Sequence, residues 1–527
     1  MDSSVYLDDT GRFSAFMFCI PNSRGISFLR LFSVLGGCNM SQIKITNLTF
    51  THEGSYTPVF ENVSLQLDTD WKLGFTGRNG RGKTTFLKLL TGAYTYSGTI
   101  SSKVEFDYFP FSVEEPYTLV LDLLEELAPS AEQWQIRKEL SLLNLDDDVF
   151  YRPFATLSNG EQTKILLAAL FLRENLFLLI DEPTNHLDQT GREIVSRYLN
   201  SKKGFILVSH DRTFLDGCVD HILSINKTSI EIQDGNFSSW YENKQRRDQF
   251  EQTQNNRLKK EIGRLQEAAR EKAAWSNKAE AAKIGNHVYD RGYVGHKAEK
   301  MMKRSKSLEN RQQKAIEEKS ALLKNVERVD SLKISSLPAP AERLVSLHEI
   351  CIMYDGTPVN RPVTFDILAG DRIAIQGPNG CGKSSILKLI TGEPLSYTGS
   401  FDKNSRLKMS YISQTVNHLS GSLQDFAREQ QIDLSQFLTI LSKLDFSRTQ
   451  MEQPMQSFSM GQKKKVLLAA SLCQQAHLYI WDEPLNYIDI YSRFQLEDVI
   501  LQFQPTMLFV EHERQFTENI ATRIISL

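Results

Sequence analysis

Two eight-residue stretches hold the densest chemistry in this chain. Gly77-Arg78-Asn79-Gly80-Arg81-Gly82-Lys83-Thr84 and Gly377-Pro378-Asn379-Gly380-Cys381-Gly382-Lys383-Ser384 share the pattern G-x-x-x-x-G-K-[ST], 300 residues apart. Glycines at this spacing let backbone N–H groups converge on one anion, and a helix starting at the lysine adds its positive end. Such a loop binds the phosphates of a nucleoside triphosphate. Lys83 and Lys383 neutralise the β- and γ-phosphates, and Thr84 and Ser384 offer hydroxyls to Mg²⁺. Thr85 and Ser385 follow directly in the same turns.

Three more pairs recur at nearly the same offset. Leu157-Ser158-Asn159-Gly160-Glu161-Gln162 returns as Phe458-Ser459-Met460-Gly461-Gln462, and Asp181-Glu182-Pro183 returns as Asp482-Glu483-Pro484, both at 301. His210 returns as His512, at 302. Four motifs in one order at one offset mean a duplicated domain. Asp181 and Asp482 end apolar runs, where a carboxylate that coordinates Mg²⁺ belongs beside a phosphate loop. Glu182 and Glu483 stand one residue on and can polarise an attacking water. His210 and His512 follow the next apolar run and can contact the γ-phosphate or orient that water.

These residues need rigid elements behind them. Strands are expected to end at 75–76 and 373–376, just before the loops, with helices over 84–90 and 384–390. Residues 176–180 and 478–481 are continuous apolar runs, as strands of a parallel sheet covered on both faces tend to be. Residues 205–208 and 506–510 read the same way. Each copy is therefore α/β, at 40–238 and 343–527.

The segment between them, 239–342, differs. Residues 241–282 contain no proline and one glycine, Gly263. Leu258, Ile262, Leu265 and Ala269 repeat at helical spacing, and Met301, Leu308, Ala315 and Leu322 repeat every seven residues. Gly285, Gly292 and Gly295 separate the two runs. This predicts a long antiparallel helical hairpin with an irregular tip near 284–296, followed by a flexible linker at 331–342 containing Pro338 and Pro340.

Charge points the same way. The whole chain is near neutral, at −3 from 61 basic and 64 acidic side chains. Residues 241–330 carry 22 Lys and Arg against 14 Asp and Glu, so +8, leaving −11 for the rest. A solvated helix face and a contact with a phosphate backbone both fit this contrast. The six cysteines form no C-x-x-C pair, which disfavours zinc or iron–sulfur ligation and suits a reducing, cytoplasmic setting. No run reaches the 18 or so apolar residues of a membrane helix, and Asp2, Asp8 and Asp9 stand where a signal peptide is positive.

Phosphate loop, LSxGE/Q-type signature, hydrophobic-DE-P, D-loop and switch histidine, in that order, resemble ABC-type ATPase domains. The resemblance covers both halves. It implies two tandem ABC-type P-loop domains that close head to tail around ATP and Mg²⁺. Lys83, Asp181, Glu182 and His210 would then face Ser459 and Gly461 in one site. Lys383, Asp482, Glu483 and His512 would face Ser158 and Gly160 in the other. Asp188 and Asp489 match the D-loops, Gln414 matches the glutamine that contacts Mg²⁺ and the water, and Tyr354 matches the aromatic stacked on adenine. In the first half, His52 and Tyr56 both remain open for that role.

Two such domains joined by a helical hairpin, with no membrane helices, resemble the ABC-F family. Asp181-Glu182-Pro183-Thr184-Asn185-His186-Leu187-Asp188 is similar to its extended Walker B. The short spacing from Lys83 to Ser158, 75 residues, leaves no room for the arm insertion of several housekeeping members. With 15 residues after His512, no C-terminal extension is expected. Trp481-Asp482-Glu483-Pro484-Leu485-Asn486-Tyr487 is similar to the antibiotic-resistance members, most of all the Lsa-like group. The resemblance implies a ribosome partner, with contacts to rRNA and the P-site tRNA, and protection against lincosamides, pleuromutilins and group A streptogramins. Tyr289, Arg291 and Tyr293 at the tip would then stack on bases or perturb the drug pocket, or simply pack the turn. Both ATPase domains lie in one chain, so no homo-oligomer is required. A housekeeping translation factor and the ATPase subunit of a separate exporter are the competing expectations.

Two departures from the family pattern stand out. Phe111 replaces the first-domain glutamine, and Met460 replaces a signature glycine. Both bear on the site built on Lys83, which is expected to turn over more slowly. Residues 1–39 match nothing in the family, while Met40-Ser41-Gln42-Ile43-Lys44-Ile45 looks like a usual family start. That makes 1–39 either an over-long translation or a weakly ordered tail.

Overall fold

The structure is a computed structural model and describes residues 42–54, 58–226, 230–281 and 331–527. Residues 1–39, Tyr56, the tip at 284–296 with Tyr289, Arg291 and Tyr293, and the run from Met301 to Leu322 lie outside the described residues.

The first half contains strands β1 (Gln42–Phe50), β2 (Phe60–Asp68), β3 (Lys72–Thr76), β4 (Ser97–Ser101), β5 (Glu105–Phe109), β6 (Leu176–Asp181), β7 (Phe205–Val208), β8 (His221–Ile225) and β9 (Ile230–Asp234). A six-stranded sheet runs β5-β6-β7-β3-β8-β9, parallel except at β8–β9. A three-stranded antiparallel sheet, β2-β1-β4, covers one face of it. Helices cover the other.

The apolar run of β6 follows from this double cover. Successive side chains of a strand point to opposite faces. Leu178 and Ile180 enter the core shared with the helices, and Phe177 and Leu179 enter the core shared with the antiparallel sheet. The second half repeats the plan with β10 (Arg343–Tyr354), β11 (Thr357–Pro358), β12 (Val363–Leu368), β13 (Arg372–Gln376), β14 (Ser396–Lys403), β15 (Met409–Ile412), β16 (Leu478–Asp482), β17 (Met507–Val510) and β18 (Arg523–Ser526). Its parallel sheet is ordered β15-β16-β17-β13-β18. Tyr479 and Trp481 face one core, and Leu478 and Ile480 face the other.

In each half, the phosphate loop after β3 or β13, the acidic pair after β6 or β16 and the histidine after β7 or β17 all leave the carboxyl edge of the parallel sheet. Open α/β sheets bind ligands along that edge.

A single 45-residue helix, Phe237–Ala281, leaves the first domain. At 1.5 Å per residue it is roughly 67 Å long. Its base is anchored on both domains. Phe237 and Trp240 are buried in the first core, Tyr241 stacks on Phe494 with ring centroids 4.4 Å apart, and Lys244 bonds the Tyr491 hydroxyl. Farther along, Ile262 is buried and Leu258 half-buried.

The expectation of a flexible linker at 331–342 is corrected by the structure. Leu332 and Ile334 are buried in the second domain's core. Leu337 donates its N–H to Ala476 O at 2.8 Å, and the Tyr479 hydroxyl donates to Ser335 O at 3.0 Å. The prolines mark an extended path, but the apolar residues before them find a partner surface. Ile334→Ala is expected to destabilise the second domain by about 2–4 kcal/mol, as for other buried aliphatic truncations. A shift in its urea unfolding curve would measure this, and a change under about 0.5 kcal/mol would show the segment to be merely draped.

Candidate functional site

Two cavities lie between the domains, each lined from both halves. One, of about 430 Å³, joins Asn79, Gly80, Gly82, Lys83, Thr84 and Thr85 to Ser459, Gly461, Gln462 and Lys465. The other, of about 400 Å³, joins Asn379, Gly380, Gly382, Lys383, Ser384 and Ser385 to Ser158, Asn159 and Gly160. Gln414, Glu483 and His512 also line the second cavity. They are called site one and site two below.

Local sequence explains each wall. Gly82 and Gly382 cap the following helices at φ 92° and 91°, a conformation that L side chains rarely adopt. Lys83 Nζ donates to Gly77 O at 2.7 Å, and Lys383 Nζ donates to Gly377 O at 2.8 Å. On the opposite wall, Ser158 and Ser459 cap the helices Asn159–Leu172 and Met460–Cys473. Both form a capping box with Glu161 or Gln462 three residues on. Each cavity therefore receives the positive ends of two helices, which favours a polyanion.

The domains meet with pseudo-symmetry. Asn79 Nδ2 donates to Tyr487 O at 2.9 Å, and Asn379 Nδ2 reaches His186 O at 3.5 Å. Gly461 has no room for a side chain, because a Cβ there would stand 2.6 Å from Tyr487 O and 3.2 Å from Asn79 Nδ2.

The two acidic pairs sit in contrasting surroundings. Glu182 and Glu483 both hold left-handed backbone, φ 51° and 46°. Such non-glycine strain costs of order 1–3 kcal/mol and persists only where packing over-determines it. Glu182 N–H is pinned to Val208 O and Glu483 N–H to Val510 O. His210 Nε2 lies 3.4 Å from Glu182 Oε1, and His512 Nε2 lies 3.6 Å from Glu483 Oε1. In site two, Gln414 Nε2 and Asn486 Nδ2 donate to Glu483 Oε2 at 3.0 and 2.6 Å. Burial alone would raise the Glu483 carboxyl, but His512, Gln414 and Lys464 outweigh it and hold it at about 2. In site one, burial and then the neighbouring Asp181 push Glu182 up to about 8. Burial, followed by Lys83 and Arg493, drives His210 well below the usual histidine range.

His512 contributes most to holding Glu483 down, and the Gln414 donor adds to it, whereas the first domain has Phe111 at the position of that glutamine. Tyr108 and Tyr411 occupy equivalent register positions beside β6 and β16, so Phe111 stands where Gln414 does. Phe111 packs against the first core instead of approaching Glu182. Tyr108 donates to Asp181 Oδ2 at 3.0 Å, the same oxygen that Thr84 Oγ1 reaches at 2.7 Å. The other departure, Met460, is 43% exposed and lines neither cavity.

The oxygen donors suit Mg²⁺, which takes few protein ligands and keeps the rest for phosphate and water. Thr84 and Asp181 stand together in site one, and Ser384 and Asp482 are hydrogen-bonded in site two. Asp482 Oδ1 is buried with no hydrogen-bond partner, as an oxygen reserved for a cation would be.

Some expected residues fall elsewhere. Tyr354 is exposed at the rim of site two, its hydroxyl 3.3 Å from Ser385 Oγ, and Val359 lines the cavity in its place. His52 lines site one. Asp188 and Asp489 line neither cavity: they cap the helices Gln189–Asn200 and Ile490–Phe503. Asp489 also pairs with Lys465 at 2.7 Å. Lys465 and Asp445 line site one, and Asn185 and His186, quoted above only as part of a motif, line site two. Lys465 was within reach, since Lys164 precedes it at the offset of 301.

Comparison with known proteins agrees with this geometry. Residues 60–185 and 360–486 each match the ABC transporter family. Over 489 residues the chain is 28% identical to the ribosome protection protein VmlR of Bacillus subtilis, covering 90% of this chain and 85% of that one. It is 27% identical to the ATP-binding protein Uup of Caulobacter vibrioides, covering 89% and 75%. It is 26% identical to the probable ATP-binding protein YheS of Escherichia coli K12, covering 88% and 75%. Among solved structures, the archaeal ribosome recycling factor aABCE1, in complex with stalk protein aP1, superposes with a TM-score of 0.56 at 20% identity, covering 86% and 83%. That likeness shows a shared tandem fold. Among the described residues no helix is long and apolar enough to cross a membrane.

Proposed function

Because this chain belongs to the ABC transporter family, as a tandem ATPase of the ABC-F type, we propose that it is a cytoplasmic factor that binds the ribosome with ATP and shields it from antibiotics acting at the peptidyl-transferase centre. The observation that carries the reading is the likeness, over 90% of the chain, to a relative named a ribosome protection protein. A stiff 45-residue helix rooted on both domains supports it, since closure around ATP can move such a lever. The basic excess over 241–330 suits rRNA phosphate, with the P-site tRNA as a neighbour. Tyr289, Arg291 and Tyr293 are the side chains we assign to the drug pocket, with lincosamides, pleuromutilins and group A streptogramins as the drug classes.

In this reading Lys83 and Lys383 neutralise the β- and γ-phosphates. Ser459 with Gly461, and Ser158 with Gly160, bind the γ-phosphate from the opposite domain through helix N-termini. Asp188 and Asp489 hold the loops that meet the phosphate loops. Thr84 with Asp181, and Ser384 with Asp482 and Gln414, would hold Mg²⁺, which when bound withdraws charge from the phosphates. Glu483, kept ionised by its neighbours, accepts the proton of the attacking water, and His512 orients that water. Glu182 and His210 have the same places in site one. Without a glutamine at position 111, and with Glu182 biased toward its protonated form, site one retains ATP longer while site two sets release.

The Glu182→Gln/Glu483→Gln protein, which keeps binding but loses both bases, is expected to co-sediment with 70S ribosomes only when ATP is present. Absence of association, with nucleotide binding intact, would sink the ribosome reading. The likeness to Uup and YheS favours a second reading, a housekeeping translation factor. Expression in a drug-sensitive host separates the two, since only the protective factor raises the inhibitory concentration.

A further inference from the structure

Lys464 lies one turn into the signature helix Met460–Cys473, beyond Ser459 and Gly461. It is 2% exposed. Its ammonium donates to Ser413 O at 3.0 Å, to Asp482 O at 3.2 Å and to Gln414 O at 3.5 Å. A lysine ammonium has three protons, and here all three go to backbone carbonyls. Those carbonyls belong to the loop that carries Gln414 and to the end of β16, next to Glu483. Gln414 in turn donates to Glu483 Oε2. One buried cation thus ties the signature helix to the two side chains that define the chemistry of site two. The carboxylates of Glu511, Asp482 and Glu483 supply opposing charge.

The same helix begins in the other site. Ser459, Gly461, Gln462 and Lys465 line site one opposite Lys83. Its N-terminus therefore contacts one cavity while a side chain one turn later holds the catalytic loop of the other. The first domain lacks this link. At the equivalent position Thr163 bonds only its own helix, to Asn159 O at 2.9 Å, and Ser209 stands where Glu511 does. A buried lysine on one side of a duplicated fold needs a reason, because burying a charge is costly unless its hydrogen bonds are fully met.

We propose that Lys464 is a positioning residue that couples the sites in one direction, so that engagement of the signature helix by ATP in site one sets Gln414 against Glu483 in site two. The coupling rests on the reading of both cavities as ATP sites. A helix is rigid along its axis, and a shift at its first turn moves the lysine and the carbonyls it grips.

The test is a double-mutant cycle on the full chain, read by steady-state phosphate release and by binding of a fluorescent ATP analogue. Lys464→Met is expected to lower kcat about 10-fold with analogue affinity at both sites unchanged, and Lys464→Arg to restore most of it. Lys83→Met, which weakens ATP at site one, is expected to slow site two to a similar degree. If Lys464 carries the signal, the double variant falls within about 2-fold of the slower single. Effects that multiply to about 100-fold would overturn the coupling while leaving the ATP sites intact. Analogue binding untouched by both Lys83→Met and Lys383→Met would overturn the ATP-site reading itself. Should Lys464→Met fail to fold, Lys464→Gln goes through the same cycle, its neutral amide reaching fewer of the three carbonyls.

Discussion

Glu483→Gln is expected to lower ATP turnover by about 10²–10³-fold, the range lost when a positioned general base is removed. Glu182→Gln should cost less than about 5-fold. The two glutamates share a strained backbone, an adjacent aspartate and a histidine within 3.6 Å. What separates them is the balance around each carboxylate, with His512 first and then the Gln414 donor favouring the charged Glu483, and burial and Asp181 opposing the charge on Glu182. Glu483 accepts from Gln414 and Asn486, and its negative charge is the state its surroundings favour. Glu182 is buried beside the Asp181 carboxylate with no glutamine to compensate, because Phe111, packed against the first core, stands in that place. A base that is already protonated contributes little, so little is lost with it. Phosphate release at saturating ATP decides the matter, and a larger loss from Glu182→Gln than from Glu483→Gln would refute the ranking. Introducing the missing donor, Phe111→Gln, is a weaker companion test, because it also removes a packed ring.

The second large effect lies at the domain interface. Arg212 follows the histidine of the first domain by two residues and crosses to the second. Its Nε donates to Glu513 Oε1 at 2.7 Å, and its guanidinium also bonds Glu497. Arg493 holds the other Glu513 oxygen at 2.8 Å. The side chains of Arg212, Glu497 and Glu513 are 4%, 8% and 0% exposed, so water does not screen them. Arg212→Met should destabilise the closed two-domain arrangement by about 3–5 kcal/mol, since it leaves Glu497 buried beside an apolar group. Urea unfolding monitored from both domains would report it. Adding Glu497→Met should recover most of the loss, because a buried pair replaced whole by apolar groups is often neutral. A single variant as stable as wild type would mean that water enters and repairs the cluster.

The pair also bears on function. Glu513 adjoins His512, and Arg493 lies on the helix that starts at Asp489 and packs against Tyr241 and Lys244 at the base of the long helix. Arg493 and Glu497 of the interface cluster thus share the helix Ile490–Phe503 with Tyr491 and Phe494, which hold the base of the long helix.

Features that depend only on neighbours along the chain are legible without the fold. A phosphate loop is a local backbone conformation, so its glycines, lysine and hydroxyl announce it at both Gly77 and Gly377. The strand ends at Asp181 and Asp482 were legible for the same reason, since a strand covered on both faces must be apolar throughout and the carboxylate marks where it leaves the core. Duplication sharpened every one of these, because His210 alone says little and His210 with His512 says much.

Which surfaces meet is fixed by the folded chain. Asn79 reaches Tyr487, 408 residues away, and Arg212 reaches Glu513, 301 residues away, through contacts that no local pattern encodes. In the run Lys463-Lys464-Lys465 two side chains are buried, Lys464 because the carbonyls of Ser413 and Asp482 converge on it and Lys465 because Leu444 O and Asp489 do. Residues 331–342 read as a linker from their prolines, yet Leu332 and Ile334 are core, because the second domain offers an apolar surface that the chain must pass. Burial is a property of the assembled surfaces, and charge or proline content along the chain does not report it.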